Sequence, residues 1–302
     1  MPAKVLIVDD DVQFCSQLVK ELSQKDFQCF VLNTSDNVIE TIKREGIHIV
    51  LLDIMLPQIS GFELCRRIRT DREIYHIGII FITAMKDHEE LEHGFSQGAD
   101  DYLIKPISMN MLLSRLNALL ASIKRDPLVD DYTGFGTVRF MRLELQRTIL
   151  LTQNFGFVYI ELSGVQNLYN LLGEDESTRI LRIFAKHLKS IVISYYGKDC
   201  ILGHIGNGHF IIMIPPRDMD LFFKDLKNSW ENSLGELFAK YRLSPDKFKH
   251  RSDIPLNLYI CGLICNPTLT TSPQEVFNSL KQLYIKCKLQ SSNRILIDKR
   301  NK

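Results

Sequence analysis

The sequence predicts two α/β domains in tandem, the first a doubly wound parallel sheet of five strands and the second built on a mostly antiparallel sheet. Short apolar strands alternate with helically spaced apolar residues from Met1 to about Lys124, and parallel neighbours need such crossover helices on the sheet faces. Asp126-Pro127 interrupts that rhythm, because the residue before proline avoids the α region. Farther on, two short strands flank Gly206, Asn207 and Gly208, the composition of a β-hairpin turn. Charge divides at the same break: residues 1–124 hold 13 Lys plus Arg against 18 Asp plus Glu, and the remainder 24 against 18. The expected organisation is 1–124, a short linker over 125–130, and 131–302.

In order, Lys4–Val8 is a strand that ends in Asp9, Asp10 and Asp11, and Phe14, Leu18 and Leu22 then recur at helical spacing. Strand Phe27–Leu32 and helix Ser35–Glu45 follow. Ile47–Leu52 carries five apolar residues in six positions, as suits a central strand covered on both faces, and runs out into Asp53. Helix Gly61–Arg69, strand Ile77–Ile82, helix His88–Gln97 and strand Asp101–Ile104 complete the alternation, and a last helix starts near Ser108. In it Met109, Leu112, Leu113, Leu116, Leu119, Leu120 and Ile123 form nearly a heptad stripe. One face should pack on the sheet; dimerisation or a signalling helix through its outer edge is the alternative.

The second half reads as helix Val138–Leu151, strand Phe155–Leu162, a helical stretch through Leu172 closed by Gly173, and helix Asp175–Ile193. The hairpin Ile201–Ile205 and Phe210–Ile214 comes next. Helix Met219–Tyr241, strand Leu256–Cys265, helix Gln274–Lys288 and strand Arg294–Ile297 close the chain.

Composition sets the setting. Apolar content of 45% and charge of 24% are ordinary for a soluble globular protein. Seven scattered cysteines without a C-x-x-C pair fit a reduced compartment, the amino terminus is not a signal peptide, and no apolar run is long enough to cross a bilayer. A cytoplasmic protein with no membrane partner is expected.

Parallel strands finish on one side of a sheet, so Asp9 and Asp10, Asp53, Thr83 and Lys105-Pro106 should converge on one edge. Three carboxylates in reach of one another repel unless a cation lies between them, and an all-oxygen set favours Mg²⁺ or Mn²⁺. With Lys105 and the Thr83 hydroxyl opposite, Asp53 suits a carboxylate that accepts a phosphoryl group and becomes an acyl phosphate.

These motifs, VDD at Asp9 and Asp10, LLDIMLP around Asp53, FITA around Thr83 and DDYLIKP ending at Lys105 and Pro106, resemble the receiver domain of two-component response regulators, a flavodoxin-like fold. The resemblance implies that Asp53 is phosphorylated by a histidine kinase or phosphotransfer protein. It implies Mg²⁺ on Asp10, Asp53 and the backbone carbonyl of Met55, with Asp9 holding a metal-bound water. Thr83 and Tyr102 would be the coupled switch, with Lys105 and Thr83 stabilising the phosphoryl group and a cis bond before Pro106. The face made by the fourth helix, fifth strand and fifth helix would then shift, and it is also the expected homodimer surface.

The second half looks like a GGDEF domain, the diguanylate cyclase family, on D-D-Y-T-G-F at Asp130–Phe135, GNGHF at Gly206, Asn207, Gly208, His209 and Phe210, and the closing Cys287-Lys288 and Asn293-Arg294. The family's metal and catalytic carboxylates fall here on Glu161, Ser163, Gly208 and His209, so only Glu161 remains, expected as an exposed carboxylate that cannot hold two Mg²⁺ ions against phosphate. Guanine-reading positions become Tyr169 and Asn170, Asn207 stands for the second glycine, and the inhibitory R-x-x-D pattern, which would fall at Gly197 and Cys200, is absent. Lys288 survives as a vestigial phosphate contact. A catalytically inactive output domain that acts on an unidentified protein partner is therefore expected. The alternatives are a sensor that binds GTP or cyclic di-GMP without turnover, and a divergent cyclase. No metal is expected on His204 and His209. The basic residues Lys240, Arg242, Lys247, Lys249, His250 and Arg251 lack a helix-turn-helix context, so nucleic acid is not an expected partner.

Overall fold

The structure is a computed structural model, and it describes residues 2–84, 97–242, 256–268, 272–289 and 295–298. Two compact units divide the chain, Met1–Pro127 and Leu128–Lys302.

In the first unit β1 (Ala3–Val8), β2 (Phe27–Leu32), β3 (Ile49–Leu52), β4 (Gly78–Thr83) and β5 (Asp101–Ile104) form a parallel sheet in the order β2-β1-β3-β4-β5. Strand residues alternate between two apolar layers. Leu6, Val8, Val50 and Leu52 face one, Val5, Ile7, Ile49 and Leu51 the other, and all are essentially inaccessible. Strand order reverses between β1 and β3, and the register Val8↔Leu52 sets the residues that follow, Asp9 and Asp53, side by side.

The helices are Val12–Ser23, Val38–Glu45, Gly61–Thr70 and Met109–Arg125; the side chains of Asp11, Ser60 and Ser108 cap the first, third and fourth, while Asn37 precedes the second without a side-chain cap bond. The second starts three residues later than its pattern suggested, because Asn37 adopts a left-handed conformation at φ 58°. The expected helix at His88–Gln97 lies, except for Gln97, outside the described residues. In the last helix Leu112 and Leu116 are fully buried against the sheet, with Leu113, Leu119 and Leu120 packed beside them, so the near-heptad stripe faces the core of its own unit.

A buried arginine fixes the approach to β5. Arg69 donates to the carbonyls of Gly98, Tyr75 and Ile77 and to Asp100 Oδ2, all at 2.6–2.8 Å. Asp100 in turn accepts the Ile79 amide at 2.8 Å, which ties the entry of β5 to β4.

The second unit carries β6 (Phe155–Leu162), β7 (Ile201–His204), β8 (His209–Ile214), β9 (Leu258–Cys265) and β10 (Ile295–Asp298) in the order β10-β9-β6-β8-β7. Every pairing is antiparallel except β10 with β9. One face packs on Glu174–Tyr196 and Met219–Tyr241 through Val158, Ile160, Phe184, Phe210 and Trp230. The other packs on Val138–Leu150 and Pro273–Leu289 through Met141, Phe157, Ile211, Cys261 and Leu280. A helix Val165–Leu172 ends at Gly173. The β7–β8 turn is left-handed throughout, at Gly206 (φ 94°), Asn207 (φ 49°) and Gly208 (φ 78°). Asn293 and Arg294 lie outside the described residues, as do Lys247, Lys249, His250 and Arg251.

Candidate functional site

The carboxyl edge of the parallel sheet collects the charged groups. Asp9 is 2% exposed, and each of its oxygens is engaged: the backbone carbonyl accepts Asn33 Nδ2 at 2.9 Å, Oδ1 accepts the Asp11 amide at 3.0 Å, and Oδ2 meets Lys105 Nζ at 2.6 Å. Asp10, the next residue, is exposed. Asp11 turns away from the edge and caps the first helix through the Phe14 amide at 3.0 Å.

Asp53 is 5% exposed, its amide donates to Val8 O at 2.8 Å, and its Oδ2 lies 3.8 Å from Lys105 Nζ. Oδ1 is buried and has no hydrogen-bond partner. Oxygens of Asp9, Asp10 and Asp53 all come within 4.8 Å of one another. An all-carboxylate set with one orphaned buried oxygen fits a hard divalent cation, since an unpaired buried acceptor otherwise costs about 1–3 kcal/mol. Burial raises the Asp53 carboxyl above its usual value; Lys105 opposes that shift and Asp9 adds to it, while the Met55 and Ile54 amides lower it.

The remaining expected positions are distributed around this pair. Thr83 is wholly buried at the end of β4, and its carbonyl accepts the Lys105 amide at 2.7 Å. The Lys105–Pro106 bond is cis, as the resemblance implied. Met55 is 63% exposed in the loop after Asp53. Tyr102 pairs with Phe81 across β4 and β5 and packs half-buried on the same apolar layer.

Three residues of the site escaped the sequence reading. Asn33 holds the Asp9 carbonyl from the end of β2. Gly61 leaves no room for a side chain: a Cβ there would stand 2.2 Å from the Asp53 carbonyl oxygen. Phe14, read only as part of an apolar stripe, has its ring 4.6 Å from Lys105 Nζ. A polar residue directly after a strand end and a glycine opening a helix were the available signals for the first two.

In the second unit Glu161 is 8% exposed, not the exposed carboxylate expected from a strand end. It accepts Tyr284 Oη at 2.6 Å and pairs with Lys288 Nζ at 2.8–2.9 Å. Lys288 sits over the Tyr259 ring at 4.3 Å, so both vestigial residues are spent on each other. His209 Nδ1 is hydrogen-bonded to the Tyr159 hydroxyl at 2.7 Å, and His204 Nδ1 to Asp130 at 3.1 Å. The two histidines thus serve separate partners. Gly208 is required by packing, because a Cβ would lie 2.4 Å from Val165 Cγ2 and 2.7 Å from the Leu162 carbonyl.

Comparison with known proteins matches residues 5–117 to the response regulator receiver domain family. Response regulator ArlR of Staphylococcus saprophyticus is 30% identical over 223 residues, a span of 69% of this chain and 98% of that relative. The chain belongs to the response regulators. Response regulator ArlR of Staphylococcus aureus is 27% identical over 221 residues, covering 69% of this chain and 99% of that one. Among solved structures, the beryllofluoride-activated receiver domain of Klebsiella pneumoniae RstA is 32% identical, covering 39% of this chain and 97% of its own, with a TM-score of 0.37. This regulator has no helix, among its described residues, that is long and apolar enough to cross a membrane.

Proposed function

We propose that Asp53 is the phosphoacceptor of this response regulator and that a sensor histidine kinase or phosphotransfer protein is its donor. The observation that carries the reading is the Asp53 carboxylate, buried, with Oδ1 unpartnered and Lys105 at 3.8 Å from Oδ2. In the transfer a carboxylate oxygen of Asp53 attacks phosphorus, the P–N bond to the donor imidazole breaks, and the electron pair leaves with the ring nitrogen, which takes up a proton. Lys105 is near enough to stabilise the phosphoryl oxygens, and Thr83 ends the neighbouring strand at the same edge. Mg²⁺ held by Asp10, Asp53 and the Met55 carbonyl, with Asp9 on a metal-bound water, would neutralise charge on those oxygens. Thr83 and Tyr102 are proposed to relay the change to a face that recruits an output partner or a second copy.

We further propose that Leu128–Lys302 is a GGDEF-like output domain without cyclase chemistry, acting through protein contacts. Its support is the order strand, two helices, hairpin, helix, strand, with the hairpin turn beside Glu161 through the register Glu161↔His209. The Glu161–Lys288 pair speaks against GTP binding or turnover there, since the single remaining carboxylate and the single phosphate-binding lysine neutralise one another. Incubation of full-length protein with radiolabelled acetyl phosphate and Mg²⁺ tests the first proposal: wild type takes label and Asp53→Asn does not. Equal labelling of that variant would remove the assignment. For the second unit, cyclic di-GMP formed from GTP would refute the inactive reading.

A further inference from the structure

We propose that Phe14 is a positioning residue for Lys105, holding its ammonium between Asp9 and Asp53 by the face of its ring. The proposal rests on the phosphoacceptor reading of Asp53. Lys105 Nζ lies 2.6 Å from Asp9, 3.8 Å from Asp53 and 4.6 Å from the Phe14 ring centroid. The main chain that carries the ring is held by the Phe14 amide, which donates to Asp11 in the first turn of the helix directly after the acidic pair, and the side chain packs, partly buried, on the apolar layer that includes Leu18. On the outer side a cavity of about 490 Å³ opens, lined by Phe14, Leu18, Lys105, Pro106 and Met109 among others.

That cavity gives the lysine somewhere else to go. Its ammonium sits on a flexible four-carbon stem and is strongly hydrated, so an open flank favours turning outward to water. A ring face attracts a cation without consuming any of its three N–H groups. Phe14 can therefore keep the charge inside while leaving donors for Asp9, Asp53 and the oxygens of an incoming phosphoryl group. An aliphatic side chain of similar volume would fill the flank but not draw the cation inward.

The test compares full-length wild type with Phe14→Leu, Phe14→Met and Phe14→Tyr, reading the rate of labelling by acetyl phosphate at saturating Mg²⁺ and, separately, Mg²⁺ affinity by calorimetry. The expected result is labelling slowed about tenfold in both aliphatic variants, the scale of one desolvated cation–π contact, and within about twofold of wild type in Phe14→Tyr. Mg²⁺ affinity should not fall in any of the three, since no carboxylate of the edge depends on the ring and an ammonium turned outward takes competing positive charge away from Asp9 and Asp53. Wild-type rates in Phe14→Leu and Phe14→Met, or Phe14→Tyr slowed as much as they are, would overturn the proposal. A loss of Mg²⁺ affinity would also overturn it, by assigning Phe14 a general packing role. A wild-type protein that takes no label would remove the Asp53 reading and this proposal together, an outcome distinct from all of these.

Discussion

Asp9 holds the Lys105 ammonium at 2.6 Å, more than an ångström closer than Asp53 does. The lysine is thus bound to the neighbour of the residue it serves, and Asp9 acts on Asp53 twice, through its own charge and by occupying the cation. Its charge helps raise the Asp53 carboxyl, while Lys105 lowers it. Asp9→Asn removes the first effect and releases the lysine toward Asp53, so the Asp53 carboxyl should titrate at lower pH than in wild type. Carboxyl ¹³C NMR of Asp53 checks the direction. The same variant should bind Mg²⁺ at least about tenfold more weakly, because a charged oxygen of the set is lost.

The raised Asp53 carboxyl makes the site sensitive to acid. Burial is the largest cause, so the proton competes with cation and phosphoryl group at a higher pH than an ordinary carboxylate allows. Beryllofluoride affinity should fall as pH drops through that raised value. Stability runs the opposite way: the folded state binds more protons than the unfolded one between the two pKa values, so stability declines as pH rises through that window. Asp53→Asn should therefore be more stable than wild type at pH 7, with the gap narrowing as pH falls. Urea melts at pH 7 and pH 5 measure both.

Gly61 opens its helix against the backbone of Asp53, and its amide donates to Ile54 O at 2.9 Å. A methyl group 2.2 Å from a backbone oxygen forces the loop to move. Gly61→Ala should cost about 1–3 kcal/mol and slow phosphoryl uptake, although it touches no charged group. Denaturant melts and labelling rates should fall together.

Glu161 binds the last helix to the central strand of the second unit through Tyr284 and Lys288. Glu161→Ala leaves the Tyr284 phenol without its acceptor and the partly exposed Lys288 without its partner, and destabilisation of about 1–3 kcal/mol should follow. Trp230, the only tryptophan, is 1% exposed and donates to Leu256 O at 2.7 Å, so its emission reports this unit alone. The Trp230 transition should shift to lower denaturant while phosphoryl uptake at Asp53 stays at the wild-type rate.

Local pattern carried most of the strands. β2, β5 and β6 have the residue ranges their apolar runs define, and strand ends sufficed to bring Asp9, Asp10, Asp53, Thr83 and Lys105 to one edge. What was illegible depends on distance in the chain. Glu161 reads as an exposed strand-end carboxylate until Tyr284 and Lys288, 123 and 127 residues later, cover it. Phe14 reads as one member of an apolar stripe because the cation it faces is fixed by a strand far downstream. Asn37 displaced a helix start because its left-handed backbone leaves no mark on apolar spacing.

The most direct measurement locates the acyl phosphate. Full-length protein loaded from acetyl phosphate in Mg²⁺ is reduced with tritiated borohydride, which converts an aspartyl phosphate to homoserine, and the peptides are sequenced. Tritium in homoserine at position 53 is the predicted result. Tritium at Asp9 or Asp10, or none in a folded protein, would contradict the assignment of Asp53 as the phosphoacceptor.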